Sequence, residues 1–237
     1  MRIRVDLQGP PNLFVPFNYN HIIASIIYNQ IYDLDLAAEL HLKHGFKFFT
    51  FSQLMIHRRR QVKGGFLSDG YLHFFISSPD ETLVNNLIRG FYKRPDISFQ
   101  GQHLQVKDVK LIPKPRFKEH MHLKTLSPII VRTRRNNKIW DLGPDDKLFY
   151  DGLKRNLLKK YKEYNGTEDV KEDINIELDL NRTRRRRIAI TKDDKKTFNR
   201  CYMAELDIEA DLNLIKFAYD VGLGERNSMG FGMMMAV

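Results

Sequence analysis

The sequence predicts an α+β protein made of two tandem ferredoxin-like (βαββαβ) domains. Each half of the chain approximates the element order strand, helix, strands, helix, strand, which is the order of that fold. The stretch "PKPR" at positions 113–116 is typical of a linker, and 237 residues suffice for two compact halves. We therefore expect an N-terminal domain at residues 1–116 and a C-terminal domain at residues 117–237.

The first half begins with an alternating strand at residues 2–8, followed by an amphipathic helix. Isoleucines at helical spacing in "NHIIASIIYNQI" indicate this helix, with Asn18 or Asn20 as its N-cap. A second helical stretch, "LDLAAELHLKHG", is expected to end at Gly45, where a left-handed C-cap fits. The stretch "FKFFTFSQLMI" then predicts a strand.

The remainder of the first half predicts a loop at residues 58–65, a strand at "GYLHFFIS" and a third helix. Ser78, Pro79 and Glu81 form a capping box at the start of that helix, "ETLVNNLIRGFY". The stretch "ISFQGQHLQVKDVKLI" returns as strand and completes the first repeat of the element order.

The second half repeats the order with "LKTLSPIIVRTR" as its first strand. A long helix follows, opened by Pro144 and closed by Asn165 and Gly166. The stretches "INIELDL" and "RRRIAI" suggest a hairpin, and "FNRCYMAELDIEA" adds strand. The stretch "LNLIKFAYDVG" predicts the last helix, and "GFGMMMAV" the last strand.

The formal net charge of +10 is concentrated in three basic runs, at residues 58–60, 132–135 and 182–187. A basic amphipathic helix would suit a membrane surface, whereas these runs lie in strand or loop context. Clustered Lys and Arg residues bind polyanions by releasing condensed counterions. The charge therefore favours a nucleic-acid partner, with solvated loops as the alternative.

The composition indicates a soluble protein of a reducing compartment. No apolar run approaches the roughly 20 residues of a membrane helix, and the N-terminal stretch has no apolar core typical of a signal peptide. Cys201 is the only cysteine, so it has no partner for an internal disulfide. We expect a cytoplasmic protein without a membrane association.

Metal chemistry is not indicated by the sequence. His, Cys, Asp and Glu residues form no cluster with metal-ligand spacing. The acidic pairs Asp145–Asp146 and Asp193–Asp194 consist of adjacent residues, which rarely converge on one site. We therefore expect neither a metal nor another cofactor.

The stretch "GLGERNSMGFGMMMAV" at 222–237 contains four glycines within eleven residues. It follows a helix and lacks the third glycine of a dinucleotide-binding turn, and it lacks the Lys-Ser/Thr of a P-loop. Glycines permit positive φ and let backbone amides approach a ligand closely. The alternative is a helix C-cap followed by a bulged strand.

The same stretch resembles the C-terminal glycine-rich loop of the RAMP superfamily, and specifically of its repeat-cleaving CRISPR-associated endoribonucleases, the Cas six family. Two N-terminal stretches, "VPFNYNHIIASIIYNQI" and "HLKHGFKFFTFS", are similar to the first helix of that family and to the segment after it. The resemblance implies binding of CRISPR repeat RNA and one cut within each repeat of the precursor. It implies metal-independent attack by the ribose 2′-hydroxyl, leaving a cyclic phosphate and a 5′-hydroxyl. Subunits of a CRISPR effector complex and a second copy of the chain are further expected partners.

The resemblance also implies three catalytic residues. In the archaeal form of the family, a histidine precedes a glycine by four residues, and a lysine follows that glycine by two. "HLKHGFKFFT" places His41, Gly45 and Lys47 in this register, and the tyrosine of the first helix corresponds to Tyr28. We expect His41 to act as general acid, Tyr28 as base or positioner of the 2′-hydroxyl, and Lys47 as electrostatic stabiliser. His44 is the alternative to His41, because positions i and i+3 share a helix face.

The RNA-binding residues are expected in the glycine-rich loop and in two basic runs. They are Gly222, Gly224, Arg226, Asn227, Ser228, Gly230 and Gly232 in the loop, Arg58, Arg59 and Arg60 in the first half, and Arg184, Arg185, Arg186 and Arg187 in the second. Two other functions remain open. One is a non-catalytic RAMP subunit that binds guide RNA, and the other is a general RNA-binding module of another class.

Overall fold

The computed structural model describes residues 1–192 and 195–237. Five α-helices form within these residues: α1 (Asn20–Asn29), α2 (Leu34–Leu42), α3 (Glu81–Lys93), α4 (Lys147–Asn165) and α5 (Leu212–Val221). The strands of the first half are β1 (Arg2–Gln8), β2 (Leu13–Pro16), β3 (Thr50–Phe51), β4 (Met55–Ile56), β5 (Arg59–Val62), β6 (Gly65–Ser68), β7 (Tyr71–Ser77), β8 (Asp96–Phe99) and β9 (Gln102–Leu111). Those of the second half are β10 (His120–Thr125), β11 (Arg132–Arg135), β12 (Lys138–Asp141), β13 (Asn175–Leu178), β14 (Arg184–Lys192), β15 (Lys195–Met203), β16 (Glu205–Glu209) and β17 (Met234–Ala236).

The first half is built on an antiparallel sheet with the strand order β3-β7-β1-β9-β8, in which β4 also pairs with β7. Strand β1 alternates in burial, and its residues Ile3, Val5 and Leu7 are buried. They share one core with apolar residues of α1 and α3, such as Ile27 and Leu87. Burial of this apolar face explains why an alternating strand and two amphipathic helices fold together.

The second half is built on a four-stranded antiparallel sheet with the order β13-β16-β10-β17. Helices α4 and α5 share its core, which contains Leu153, Leu157, Leu206 and Leu214. Strands β10, β11 and β12 precede α4, and β16 is followed by α5 and the last strand. Each half thus packs helices against an antiparallel sheet around its own apolar core.

Strand pairing differs from the sequence expectation in two places. The expected hairpin of "INIELDL" and "RRRIAI" is wrong, because β13 pairs with β16 and β14 pairs with β15. Residues 58–65, expected as a loop, form most of the hairpin of β5 and β6. Strand β13 thus pairs with a strand distant in sequence, which local patterns do not report, whereas β5–β6 and β14–β15 are hairpins of consecutive strands.

Three expected long strands are shorter in the structure. The stretch "FKFFTFSQLMI" contains only the short strands β3 and β4, and residues 46–49 form no strand. The stretch "LKTLSPIIVRTR" is interrupted between β10 and β11, and "GFGMMMAV" contributes only β17. The interruptions lie where the chain leaves one sheet to contact another segment, as at Ile129, which bridges to Tyr202.

Helix ends also differ from the expected caps. Asp80, and not Ser78, caps α3 by accepting a hydrogen bond from the Leu83 N–H at 3.1 Å. Helix α4 begins after Asp146, which caps it, and ends at Gly166 with the expected left-handed conformation. Helix α2 ends at Leu42, before Gly45.

Asn18 and Asn20, expected as alternative N-caps of α1, join the two halves instead. Tyr19 is the N-cap residue, with no side-chain cap. Asn18 Oδ1 accepts a hydrogen bond from Ala189 N at 2.9 Å, and Asn20 Nδ2 donates to Met229 O at 2.9 Å. The polar side chains at the start of α1 therefore serve tertiary contacts.

Candidate functional site

The glycine-rich loop connects α5 to β17 and is largely buried. Gly222, Gly224, Gly230 and Gly232 are all buried and all have positive φ. Gly232 has φ +74°, and a Cβ there would overlap the carbonyl oxygen of Leu223. The four glycines therefore set the shape of the loop, and its exposed surface is formed by other residues.

Asn227 holds the loop from inside. Its side-chain nitrogen donates to Leu223 O at 3.1 Å and to Phe231 O at 3.0 Å. Thr50 of β3 donates from Oγ1 to Phe231 O at 2.9 Å, which ties the loop to the first half. Buried polar groups are retained when each finds a partner, so this network fixes the position of the loop.

The outer surface of the loop carries Glu225, Arg226 and Ser228. Arg132 binds Glu225 in a charge-assisted pair, with Nε 2.8 Å and Nη2 2.5 Å from Oε2. Burial, and then the nearby Arg132, lowers the pKa of Arg226, which stays a cation because an arginine is protonated throughout the neutral range. With Glu225 bound by Arg132, Arg226 is the loop cation that can meet an anion.

Tyr28, His41 and Lys47 come together at the ends of α1 and α2 and in the segment before β3. The rings of Tyr28 and His41 meet edge to face, with their centroids 5.9 Å apart. Lys47 Nζ lies 5.2 Å from the centre of the Tyr28 ring and donates to His41 O at 3.3 Å. The three residues therefore form one cluster, which is open to solvent at His41.

His44 lies outside helix α2, which ends two residues earlier. The helical face that His41 and His44 would share therefore does not form, and the expectation that the two residues share one is wrong. His41 keeps its ring contact with Tyr28.

Tyr28 lies partly buried against Phe49, with ring centroids 5.8 Å apart. Burial raises the pKa of Tyr28 to about 12. The hydroxyl therefore stays protonated at neutral pH, where it can donate or accept a hydrogen bond but is rarely an anion. This environment suits a positioning role better than that of an ionised base.

A cleft of about 480 Å³ connects this cluster to the glycine-rich loop. Lys47 and Phe49 line it on the side of the first half, and Arg226 and Ser228 on the side of the loop. The side chains of α4, including Lys159, form another wall. Of the residues expected to react, Lys47 thus faces the same cavity as the loop cation, and Tyr28 and His41 adjoin it through their contacts with Lys47.

The two basic runs expected to bind RNA, at residues 58–60 and 184–187, are exposed on or beside hairpins. Arg58 directly precedes β5, which begins with Arg59 and Arg60, and Arg59 stacks over Phe66 with its guanidinium carbon 4.5 Å from the ring centre. Arg184, Arg185, Arg186 and Arg187 all lie on β14 and are all exposed. Ile188 and Ile190, which follow them on β14, pack in one cluster with Phe231 of the loop.

Lys160 is a residue of this region that sequence reasoning missed. It is 1% exposed, and its Nζ donates to Gly222 O at 2.6 Å, Gly224 O at 3.3 Å and Asn227 Oδ1 at 3.0 Å. A sequence signal existed: Lys160 continues the apolar face of α4 that contains Leu153 and Leu157. A lysine on that face requires polar partners.

The described part of the chain holds neither a metal cluster nor a membrane-spanning helix. Across 1–192 and 195–237, no group of three or more His, Cys, Asp or Glu side chains is arranged to hold a metal ion. Asp193 and Asp194, one of the two acidic pairs of the sequence, lie outside the described residues. In the same ranges no helix combines the length and apolar character needed to cross a membrane.

Comparison with known proteins shows the family. Residues 112–236 match the model of the C-terminal part of CRISPR associated protein Cas6, and residues 14–110 match a model of the Cas6 N-terminal part. CRISPR-associated endoribonuclease Cas6 1 of Methanocaldococcus jannaschii is 36% identical over 100% of this chain and 93% of its own length. CRISPR-associated endoribonuclease Cas6 of Pyrococcus furiosus is 29% identical over 93% of this chain and 83% of its own length. A solved structure described as a RAMP protein binding different RNA substrates is 28% identical, covers 100% of this chain and 99% of its own, and has a TM-score of 0.87. The chain therefore belongs to the Cas6 family.

Proposed function

We propose that this protein is an endoribonuclease that matures CRISPR RNA by cutting the precursor within its repeats. The observation that carries the proposal is the cluster of Tyr28, His41 and Lys47, whose lysine lines the same cleft as Arg226. Relatives named CRISPR-associated endoribonuclease support the reaction class. A protein that only held RNA would not need an acid, a hydroxyl and an amine at one point.

The geometry supports attack by the ribose 2′-oxygen on the adjacent phosphorus. His41 delivers a proton to the departing 5′-oxygen, since an imidazole exchanges protons near neutral pH. Lys47 stabilises the negative charge that develops on the non-bridging oxygens. Tyr28 accepts a hydrogen bond from the 2′-hydroxyl and orients it, while the 2′-proton passes to water. The products are a 2′,3′-cyclic phosphate and a 5′-hydroxyl, and no step uses a metal ion.

RNA is held, in this proposal, by the exposed part of the glycine-rich loop and by the arginine hairpins. Arg226 and Ser228 contact the phosphates beside the cut, because they face the cleft together with Lys47. The four glycines and Asn227 are buried, so we assign them to loop shape and not to direct contact. The exposed arginines at 58–60 and 184–187 contact phosphates farther along the strand.

We further propose that the two halves are tandem ferredoxin-like domains divided at residue 116. Each half has the element order βαββαβ around its main sheet, and residues 112–118 between β9 and β10 form no strand. The sheet orders β3-β7-β1-β9 and β13-β16-β10-β17 correspond strand for strand. A duplicated unit accounts for this correspondence.

The test of the proposed function is cleavage of repeat RNA in the presence of EDTA, beside an RNA with one 2′-deoxy substitution at the cut. We expect the unmodified RNA to be cut and its 5′ fragment to end in a cyclic phosphate. The deoxy RNA lacks the nucleophile and should stay intact. Cleavage of the deoxy RNA, or a strict metal requirement, would contradict the mechanism.

A second candidate function is that of a RAMP subunit that binds RNA without cutting it. The related structure described as a RAMP protein binding different RNA substrates favours this reading. Binding of repeat RNA with no product after long incubation at several pH values would support it over the endoribonuclease. Contacts with effector-complex subunits and formation of a homodimer stay predictions under either function.

A further inference from the structure

Lys160 is a lysine buried at the base of the glycine-rich loop. It lies on the inner face of α4, one turn after Leu157, and its side chain is enclosed between α4 and the loop. Its Nζ reaches two carbonyl oxygens and one side-chain oxygen of the loop, at Gly222, Gly224 and Asn227. One side chain thus bonds to three points of a segment only six residues long.

The chemistry of this contact fits an amino group. In its protonated form the group has three N–H donors, and the three loop oxygens supply one acceptor for each. A methionine of similar length could fill the same space but could not bond to any of these oxygens. Packing alone therefore does not explain a lysine at this position.

Lys160 interacts electrostatically with Glu225, the acidic residue next to Arg226. Burial lowers the pKa of Lys160 to about 7, and the Glu225 carboxylate acts in the opposite direction. Glu225 itself is bound by Arg132 of β11. The cleft beside Lys160 is lined by further charged side chains, namely Lys47, Arg132, Lys159, Glu163, Glu225 and Arg226.

The contacts of Lys160 determine where the exposed residues of the loop point. Arg226 has a left-handed backbone (φ 57°) and lies between Gly224 and Asn227, both of which Lys160 holds. Asn227 in turn restrains the rest of the loop, because its side-chain amide donates hydrogen bonds to Leu223 O and Phe231 O. Movement of either anchor would reorient the Arg226 side chain.

We propose that Lys160 is a positioning residue for RNA: it fixes the glycine-rich loop so that Arg226 is presented to the RNA, without touching the RNA itself. This inference rests on the proposed function, since it assumes that the loop binds repeat RNA. In this proposal, Lys160 affects the affinity for RNA through the orientation of Arg226, although Lys160 itself is buried in the second half.

The test is a double-mutant cycle on the binding of fluorescently labelled repeat RNA. We expect Lys160→Met to raise the Kd about 10-fold and to have no further effect in an Arg226→Ala background. Lys154→Met, which removes one positive charge from the same helix, is the matched control and should bind almost as the unmodified protein. Hydrogen exchange should accelerate at the loop amides of residues 222–232 in Lys160→Met and stay unchanged in β10.

Circular dichroism establishes that each variant is folded before binding is measured. Should Lys160→Met fail to fold, Asn227→Ala, which removes one acceptor of Nζ, takes its place in the same cycle. The positioning role of Lys160 is overturned if a folded Lys160→Met variant binds RNA with unchanged affinity. It is also overturned if the fold-changes in Kd from Lys160→Met and Arg226→Ala multiply in the double variant. Either result leaves the proposed function standing. Absence of repeat-RNA binding by the unmodified protein overturns the proposed function instead.

Discussion

Removal of the Tyr28 hydroxyl separates two roles for this residue in the proposed reaction. Burial raises the pKa of Tyr28 to about 12, so about one molecule in 10⁵ carries the tyrosinate at pH 7. If Tyr28 only accepts a hydrogen bond from the 2′-hydroxyl, Tyr28→Phe costs roughly 1 kcal/mol, or about 5-fold in rate. Loss of a general base would slow the reaction about 10²–10⁴-fold.

The assay is single-turnover cleavage of repeat RNA at saturating protein, from pH 5 to pH 9, for both proteins. We expect parallel pH–rate profiles that differ by the same small factor throughout. The phenylalanine keeps the ring contacts with His41 and Phe49, so the melting temperature should not change. A 10³-fold fall, or a rate that climbs with pH above 8 only in the unmodified protein, would refute the positioning role.

Four further outcomes follow from the same geometry. His41→Ala should slow cleavage by about 10²–10⁴-fold and leave RNA binding intact, whereas His44→Ala should change neither the cleavage rate nor RNA binding; the reverse result in the same assay would reassign the acid. Replacing the four arginines at 184–187 by glutamine should flatten the dependence of log Kd on log salt by about 0.7 for each phosphate that these arginines neutralise, and an unchanged slope would remove them from the interface. Gly232→Ala should lower the free energy of unfolding in urea by about 1–3 kcal/mol, because it combines positive φ with overlap against a backbone carbonyl of the loop. Burial lowers the pKa of Lys160 from the ordinary 10.5 to about 7, so between these pH values the unfolded chain binds more protons than the folded protein. The free energy of unfolding of the unmodified protein, relative to that of Lys160→Met, should therefore rise from pH 7 to pH 10. A fall over this range would contradict the direction of the pKa shift.

Much of the fold could be predicted from local patterns. The isoleucines of α1, the apolar face of α5 and the left-handed end of α4 at Gly166 all lie where the sequence places them. The partner of β13 could not be predicted from local patterns, because β13 pairs with β16, which follows the β14–β15 hairpin.

The sequence likewise predicted some features of the candidate site and missed others. The resemblance to a known register found His41 and Lys47, and the structure brings both to Tyr28. The burial of the glycines was not predicted, because a glycine that shapes a loop and one that touches a ligand have the same sequence signature. Lys160 was missed because a lysine in a basic chain is ordinarily expected on the surface.

Helix α1 sets a fixed distance between the glycine-rich loop and Tyr28. It begins with Asn20, which holds the carbonyl of Met229 in the glycine-rich loop, and it carries Tyr28 two turns later. Eight residues at about 1.5 Å each separate the two points by about 12 Å along a rigid rod. In the proposed complex, the reacting ribose would therefore lie at a fixed distance from the RNA segment held by the loop, and the length of α1 would set that distance.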